Sequence, residues 1–192
     1  MKIYLASSSP RRREILQNLG VDFEILAQNA DENVNESDPC RLTELLARRK
    51  AEAAASVKND GLIIGCDTVV FAGGEILGKP RNEDDARRML CALSGKTHEV
   101  ISGICLILAG KTVTAHEITK VKFSEMSADE IELCIKKGEP LDKAGAYAVQ
   151  GMASLYIEGI DGDYFNVVGL PVRRLYEMLK TEFSVSLVPN DL

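Results

Sequence analysis

The run Leu62-Ile63-Ile64-Gly65-Cys66-Asp67-Thr68-Val69-Val70-Phe71 constrains this chain more than any other stretch. β-branched and aromatic residues dominate it, Gly61 precedes it, and Gly73-Gly74 follows as a hairpin signal with a return strand over residues 75–77. Such a strand should be buried, yet Asp67 stands in its middle. A buried carboxylate must be paired, protonated, bound to metal, or set at an exposed strand end. Two readings stay open: Asp67 is a working group at a site, or it caps a turn or pairs with a structural Arg. Alternation places Asp67 on one face with Ile63, Gly65 and Val69, and Thr68 on the other. One site using both Asp67 and Thr68 therefore needs a bulge or a strand end there.

The flanking sequence supplies helices and further strands. A short strand over 2–6 runs into Ser9-Pro10, which opens a helix to Leu19, closed by Gly20. A strand over 23–27, a polar loop over 28–38 and a helix over 39–58 follow. Asn82 caps a helix to Leu93, with Gly95 just past its end. Two long strands, 97–108 and 112–123, meet at Ala109-Gly110-Lys111. Ser127-Ala128-Asp129-Glu130 is a capping box for a helix ending at Gly138. A Gly-rich segment leads to a strand over 154–160, a turn at Asp161-Gly162 and a helix over 171–182. Hairpins mixed with crossing helices predict an α/β fold with a mixed central sheet flanked by helices. At 192 residues with no linker or repeat, one domain over 1–192 is expected.

Charge narrows the ligand. Lys and Arg number 23 against 29 Asp and Glu, a formal net charge of −6, and aromatics are 5% of the chain. An acidic chain with few stacking rings is a poor nucleic-acid or anionic-membrane binder. A small anion, which responds to local charge, stays allowed. No apolar run approaches membrane-span length, and the N-terminus lacks signal-peptide order. The odd cysteine count without a C-x-x-C pair suggests neither a disulfide framework nor a zinc site. A cytoplasmic location is expected.

Cations come from separate segments. Ser7-Ser8-Ser9-Pro10-Arg11-Arg12-Arg13 opens a helix, offering free N–H groups, hydroxyls and guanidiniums that suit a phosphate. Taken alone it reads equally as a solvated basic turn, and no P-loop is present. Lys79 beside Arg81 is held extended by Pro80. In the helix after Pro39, Leu42, Leu45, Leu46 and Ala53 form the apolar stripe, with Arg49 near its centre and Lys50 on its edge. Those cations either snorkel to water or reach into a cleft. Together with Asp67, they read most economically as a site for a phosphorylated small molecule handled with a divalent cation.

Over almost its whole length the sequence also resembles the Maf family. The resemblance rests on six motifs in family order: Leu5-Ala6-Ser7-Ser8-Ser9-Pro10-Arg11-Arg12, Gly65-Cys66-Asp67-Thr68-Val69-Val70, Gly78-Lys79-Pro80, Leu93-Ser94-Gly95-Lys96-Thr97-His98, Glu139-Pro140-Leu141-Asp142-Lys143-Ala144-Gly145-Ala146-Tyr147 and Val167-Val168-Gly169-Leu170-Pro171. It implies an inosine-triphosphatase-like α/β fold. It also implies a nucleoside triphosphate pyrophosphatase that splits its substrate between the α and β phosphates with Mg²⁺ or Mn²⁺. The segment from Asp142 to Gly151, with Gln150, is similar to the branch acting on dTTP and UTP in nucleotide-pool sanitation.

Matched residue by residue, the resemblance makes Asp67 the proton acceptor. Arg11, Thr68 and Gln150 fall on positions linked to substrate choice, and Ser7, Arg12, Lys50 and Lys79 on the phosphate-facing set. Glu32 aligns with an acidic site residue, which with Asp67 gives the expected metal ligands. The family match selects Lys50 where the helix wheel centres Arg49. Members of the family often form homodimers, though no unpaired apolar stripe in the sequence points to one. Two functions compete with this one: a nucleotide-binding regulator of cell division without relevant turnover, and a nucleic-acid binder using Arg11, Arg12, Arg13 and Arg48-Arg49-Lys50.

Overall fold

Several helix starts follow caps written in the sequence, although Ser9, expected to cap the first helix, makes no side-chain capping bond. The computed structural model describes residues 1–138 and 140–187; Glu139 of the fifth motif lies outside the described residues. Helix α1 (Pro10–Asn18) begins on Pro10, and helix α2 (Pro39–Ala55) on Asp38, whose carboxylate accepts from the N–H groups of Cys40 and Arg41. Helix α3 (Glu83–Leu93) is capped by Asn82, which accepts from the Asp85 N–H. Helix α4 (Ala128–Gly138) carries the capping box: the Glu130 N–H donates to Ser127 Oγ, and the Ser127 N–H to Glu130 Oε2.

The strands are β1 (Ile3–Leu5), β2 (Glu24–Ile25), β3 (Leu62–Ala72), β4 (Glu75–Leu77), β5 (Thr97–Leu108), β6 (Lys111–Phe123) and β7 (Ile157–Asp161). They form one mixed sheet in the order β2-β1-β3-β5-β6-β7, with β4 on β3. β1 pairs in parallel with β2 and β3, whereas β3–β4 and β6–β7 are antiparallel. The parallel pairs arise because α1 and α2 carry the chain back between strands, as a crossover must. The expected α/β class with a mixed sheet and flanking helices is the observed one.

Several segments depart from expectation. The strand expected over 154–160 begins only at Ile157, because Met152–Tyr156 forms a 3₁₀ turn in which the Ser154 N–H donates to the Gly151 carbonyl. Helix α5 (Tyr164–Val168) lies outside the expected elements; Asp163 starts it by accepting from the Phe165 N–H at 2.7 Å. The last expected helix is α-helical only over α6 (Val172–Met178), then widens into a π turn ending before left-handed Ser184. Helix α2 ends at Ala55 rather than residue 58, where the Ser56 hydroxyl folds back onto the Ala53 carbonyl.

The chain divides into two compact units. The first comprises Met1–Asp67, Ser102–Glu117 and the C-terminal segment from Gly169; the second comprises Thr68–Ile101 and Ile118–Val168. The boundary runs inside β3, β5 and β6, so neither unit is one continuous stretch of sequence.

In the first unit, α2 lies directly on the strands. Its buried residues are Thr43, Leu46, Ala47, Ala51 and Ala54. Gly65 on β3 and Gly103 on β5 make that approach possible: a Cβ on Gly65 would sit 2.2 Å from the Ala47 carbonyl oxygen. One on Gly103 would sit 2.2 Å from the Thr43 carbonyl carbon and oxygen. Backbone meets backbone here, so no side-chain rotation relieves the clash. We expect Gly103→Ala to lose about 2–3 kcal/mol of stability, read as a lower urea midpoint; an unchanged midpoint would refute the close packing.

The second unit has its own core, in which Val70, Leu77, Leu90, Leu93, Val121, Phe123 and Ile131 pack together. His98 is buried beside it, with its ring edge-on to Phe123. Burial lowers the imidazole from 6.5 to about 4. The unfolded chain therefore binds this proton more readily than the folded one, so stability is full above pH 6.5 and falls as pH drops through 4. The expected loss across that window is about 3 kcal/mol. Urea unfolding of the parent and of His98→Gln over the window should show the extra slope in the parent alone.

Candidate active site

The close seating of α2 decides what Asp67 meets. Gly65 and Asp67 share one face of β3 by alternation, so the face that touches α2 also presents the carboxylate to it. Lys50, one residue before the buried Ala51, reaches Asp67: Nζ donates to Oδ1 at 2.5 Å. The same ammonium lies 3.1 Å from Glu32 Oε1. Side-chain exposure is 13% for Asp67 and 16% for Lys50, against 59% for Glu32. A nearly dry ion pair thus opens to solvent on the Glu32 side.

Arg49 has a different task. Its guanidinium donates to the Asp31 carbonyl at 2.7 Å and the Asn33 carbonyl at 3.3 Å, and pairs with the Asp31 carboxylate. It therefore holds the loop that carries Glu32. Lys50, not Arg49, faces Asp67. The helix wheel centred Arg49 because it weighted Leu42 and Leu45; the face actually buried is the one with small residues, since only those allow contact with Gly65 and Gly103.

Arg12 and Ser7 come together at the start of α1. Arg12 is buried and donates from Nη1 to Ser7 Oγ at 3.0 Å and to the Cys66 carbonyl at 2.7 Å, and from Nε to the Gly169 carbonyl at 2.8 Å. The guanidinium is a strut tying the α1 start, the residue before Asp67 and the Gly169 turn. Ser7 Oγ also accepts from the Ser9 N–H at 3.3 Å. The Ser9 side chain at the N-cap makes no capping bond, and the first turn of α1 holds no acidic residue. The positive end of the α1 dipole lies beside half-buried Arg11.

Thr68, Lys79 and Gln150 belong to the second unit. Lys79 and Gln150 are exposed, and Thr68 is half-buried. The Gly145 N–H donates to the Gly78 carbonyl at 3.0 Å, fastening the Lys79 turn to the segment that leads to Gln150. Sequence reasoning gave no role to His98 or Tyr147, and offered Arg49 only as the phosphate-facing alternative to Lys50. Arg49 was visible as the neighbour of Lys50, and the other two within quoted motifs, but their partners are set by tertiary contacts alone.

The metal question turns on donors. Among the described residues, no group of three or more His, Cys, Asp or Glu side chains forms a cage. Asp67 and Glu32 nevertheless converge on one cationic atom, Lys50 Nζ. Two hard carboxylates, with water and phosphate oxygens completing the shell, are the usual setting of Mg²⁺, so these residues fit a divalent cation arriving with a polyphosphate.

Comparison with known proteins decides the family: the model for Maf-like proteins matches residues 2–182. The chain belongs to the Maf family. Maf relatives similar to it include a "dTTP/UTP pyrophosphatase" of Desulforamulus reducens, 48% identical over 189 residues, covering 97% of this chain and 98% of that protein. One of the same name from Alkaliphilus metalliredigens is 49% identical over 191 residues, covering 97% and 99%. Another, from Thermosipho africanus, is 48% identical over 179 residues, covering 93% and 92%. Among solved structures, the Staphylococcus aureus Ham1 protein is a distant likeness, with TM-score 0.48, 14% identity, and 64% of this chain and 72% of that chain covered. The Maf assignment stands on the family model and the relatives. No helix among the described residues is long and apolar enough to cross a membrane.

Proposed function

We propose that this Maf protein is a nucleoside triphosphate pyrophosphatase that hydrolyses dTTP and UTP to the monophosphate and pyrophosphate, clearing nucleotide pools in the cytoplasm. The observation that carries the reading is the buried Asp67 carboxylate held by Lys50, whose ammonium also pairs with Glu32, in a chain so similar to relatives bearing that name. Asp67 takes a proton from water as the water oxygen bonds to the α-phosphorus and the bond to the bridging α–β oxygen breaks. Pyrophosphate leaves with that oxygen. Lys50 changes partner: the polyphosphate competes for its ammonium, freeing Asp67 to face water. Arg11, the N–H groups at the α1 start, and Lys79 neutralise the phosphates, and Arg12 with Ser7 fixes the geometry of that start. Asp67 and Glu32 hold the divalent cation, which supplies charge neutralisation at the reacting phosphate when bound.

Gln150 both donates and accepts, and so matches the O4 and N3–H edge shared by thymine and uracil. Gln150→Glu removes the donor to O4 but keeps an acceptor. We expect its KM for dTTP and UTP to rise about tenfold, with relative preference moving toward CTP. An unchanged substrate profile would remove Gln150 from base reading. The reading as a whole is tested by a panel of canonical and modified NTPs with Mg²⁺ or Mn²⁺, scored for phosphate before and after added inorganic pyrophosphatase. Phosphate appearing only after that addition, with dTTP and UTP leading, is the expected result. Tight nucleotide binding without turnover would instead support the regulator.

A further inference from the structure

The second unit holds a buried polar contact that the reaction above does not use. His98 Nε2 and the Tyr147 hydroxyl lie 2.7 Å apart, inside an aromatic cluster completed by Phe123. Both residues are buried, at 2% and 8% exposure. Among the described residues the buried Nδ1 of His98 has no hydrogen-bond partner. The ring therefore satisfies one nitrogen through Tyr147 alone, an arrangement that core packing by itself would not select, since an apolar pair of the same shape avoids the orphaned atom.

What Tyr147 anchors is strained. Gly145 and Ala146, immediately before it, both adopt left-handed backbone, with φ of 67° and 63°. For alanine that conformation costs about 1–2 kcal/mol, and it persists only where the surroundings over-determine it. Three restraints are on hand. The Gly145 N–H is bonded to the Gly78 carbonyl, the Ala146 N–H donates to the Lys143 carbonyl at 3.1 Å, and Tyr147 is held by His98. Val70 fills the space over Gly145, where a Cβ would lie 2.8 Å from Val70 Cγ2. Beyond Tyr147 the chain alternates: Val149 is buried, and Gln150 is exposed. The direction in which Gln150 leaves the core is thus set by how Tyr147 and Val149 are pinned, and the same strained turn is bonded to the residue before Lys79.

We propose that His98 and Tyr147 form a latch that positions the Gln150 segment, making them specificity-positioning residues for the pyrimidine base. The idea rests on the proposed pyrophosphatase reading for its substrate, but the latch itself is a structural device of this chain. The low imidazole pKa agrees, because it keeps the ring neutral at physiological pH. Neither residue touches the reacting atoms; they act through Gln150.

Tyr147→Phe deletes the hydroxyl and keeps the ring that packs on Phe123 and His98. The latch predicts that its KM for dTTP and UTP rises about tenfold, that discrimination against CTP and GTP falls by a similar factor, and that kcat stays within about twofold. A merely structural hydroxyl would lower the melting temperature and leave the discrimination ratio alone, and that outcome overturns the proposal. His98→Gln, which keeps a hydrogen-bonding end, should retain discrimination, whereas His98→Met should lose it. Equal discrimination in that pair also overturns the latch, and the pair decides the matter if Tyr147→Phe does not fold. Amide hydrogen exchange provides a readout independent of turnover: Tyr147→Phe should speed exchange at Gly145, and unchanged protection there refutes the latch. A parent protein that hydrolyses no pyrimidine triphosphate refutes the functional reading, while the exchange result still judges the latch.

Discussion

Asp67→Asn is expected to lower kcat on dTTP by about 10²–10⁴-fold, the usual worth of a positioned general base. The substitution is close to isosteric, and Asn Oδ1 can still accept from Lys50, so the local geometry changes little. What disappears is the capacity to take a proton from water, together with a full negative charge toward the divalent cation. KM for dTTP should change far less than kcat, because the phosphate-facing cations are intact. The measurement is a steady-state comparison at saturating metal, with a melting curve to show that folding is preserved. Near-full turnover by this variant would sink the assignment of Asp67 as proton acceptor.

Lys50→Met should have the largest effect on stability, a loss of about 3–5 kcal/mol, because removing one partner strands a charge in a poorly solvated place. With Asp67 only 13% exposed, water can do little to replace the ammonium at 2.5 Å. Met keeps most of the aliphatic volume, so the loss reports charge rather than packing. The decisive comparison is the double variant. Once Asp67→Asn removes the charge, Lys50→Met should cost far less, and most of the lost stability should return in chemical denaturation. Additive losses in the two singles would mean that the pair is not energetically coupled. Activity of Lys50→Met should fall as well, through a raised KM for the triphosphate, since the same ammonium is assigned to the phosphates.

Much of this architecture was legible because local chemistry wrote it. Asp38, Asn82 and the Ser127–Glu130 box mark helix starts by satisfying N–H groups that would otherwise lack partners. Those signals need no long-range contact, and the corresponding helices begin where expected. Residues 154–156 read as strand because Ser, Leu and Tyr are compatible with both, and only the bond from the Ser154 N–H to Gly151 discriminates. The short α5 escaped because its single signal, Asp163, sits beside a glycine that reads as part of a turn.

The site shows the same division. Asp67 stood out in sequence because a carboxylate inside an apolar strand needs a compensating partner, and that reasoning involves only burial and charge. Which cation compensates it was outside the reach of a helix wheel, which ranks faces by hydrophobicity. The face of α2 that is buried is the one carrying Thr43, Ala47 and Ala51, chosen because Gly65 and Gly103 let the helix come within backbone contact. Likewise, Arg12 could be named as a cation from sequence, but its binding to the Cys66 and Gly169 carbonyls joins residues more than fifty positions apart. By itself the sequence determined most of the elements, the family and the anomalous carboxylate, because caps, periodicity and motifs are local. Only the tertiary structure decided that Lys50 meets Asp67, that Arg49 holds the Glu32 loop and that His98 meets Tyr147, because steric fit between distant segments selects those partners.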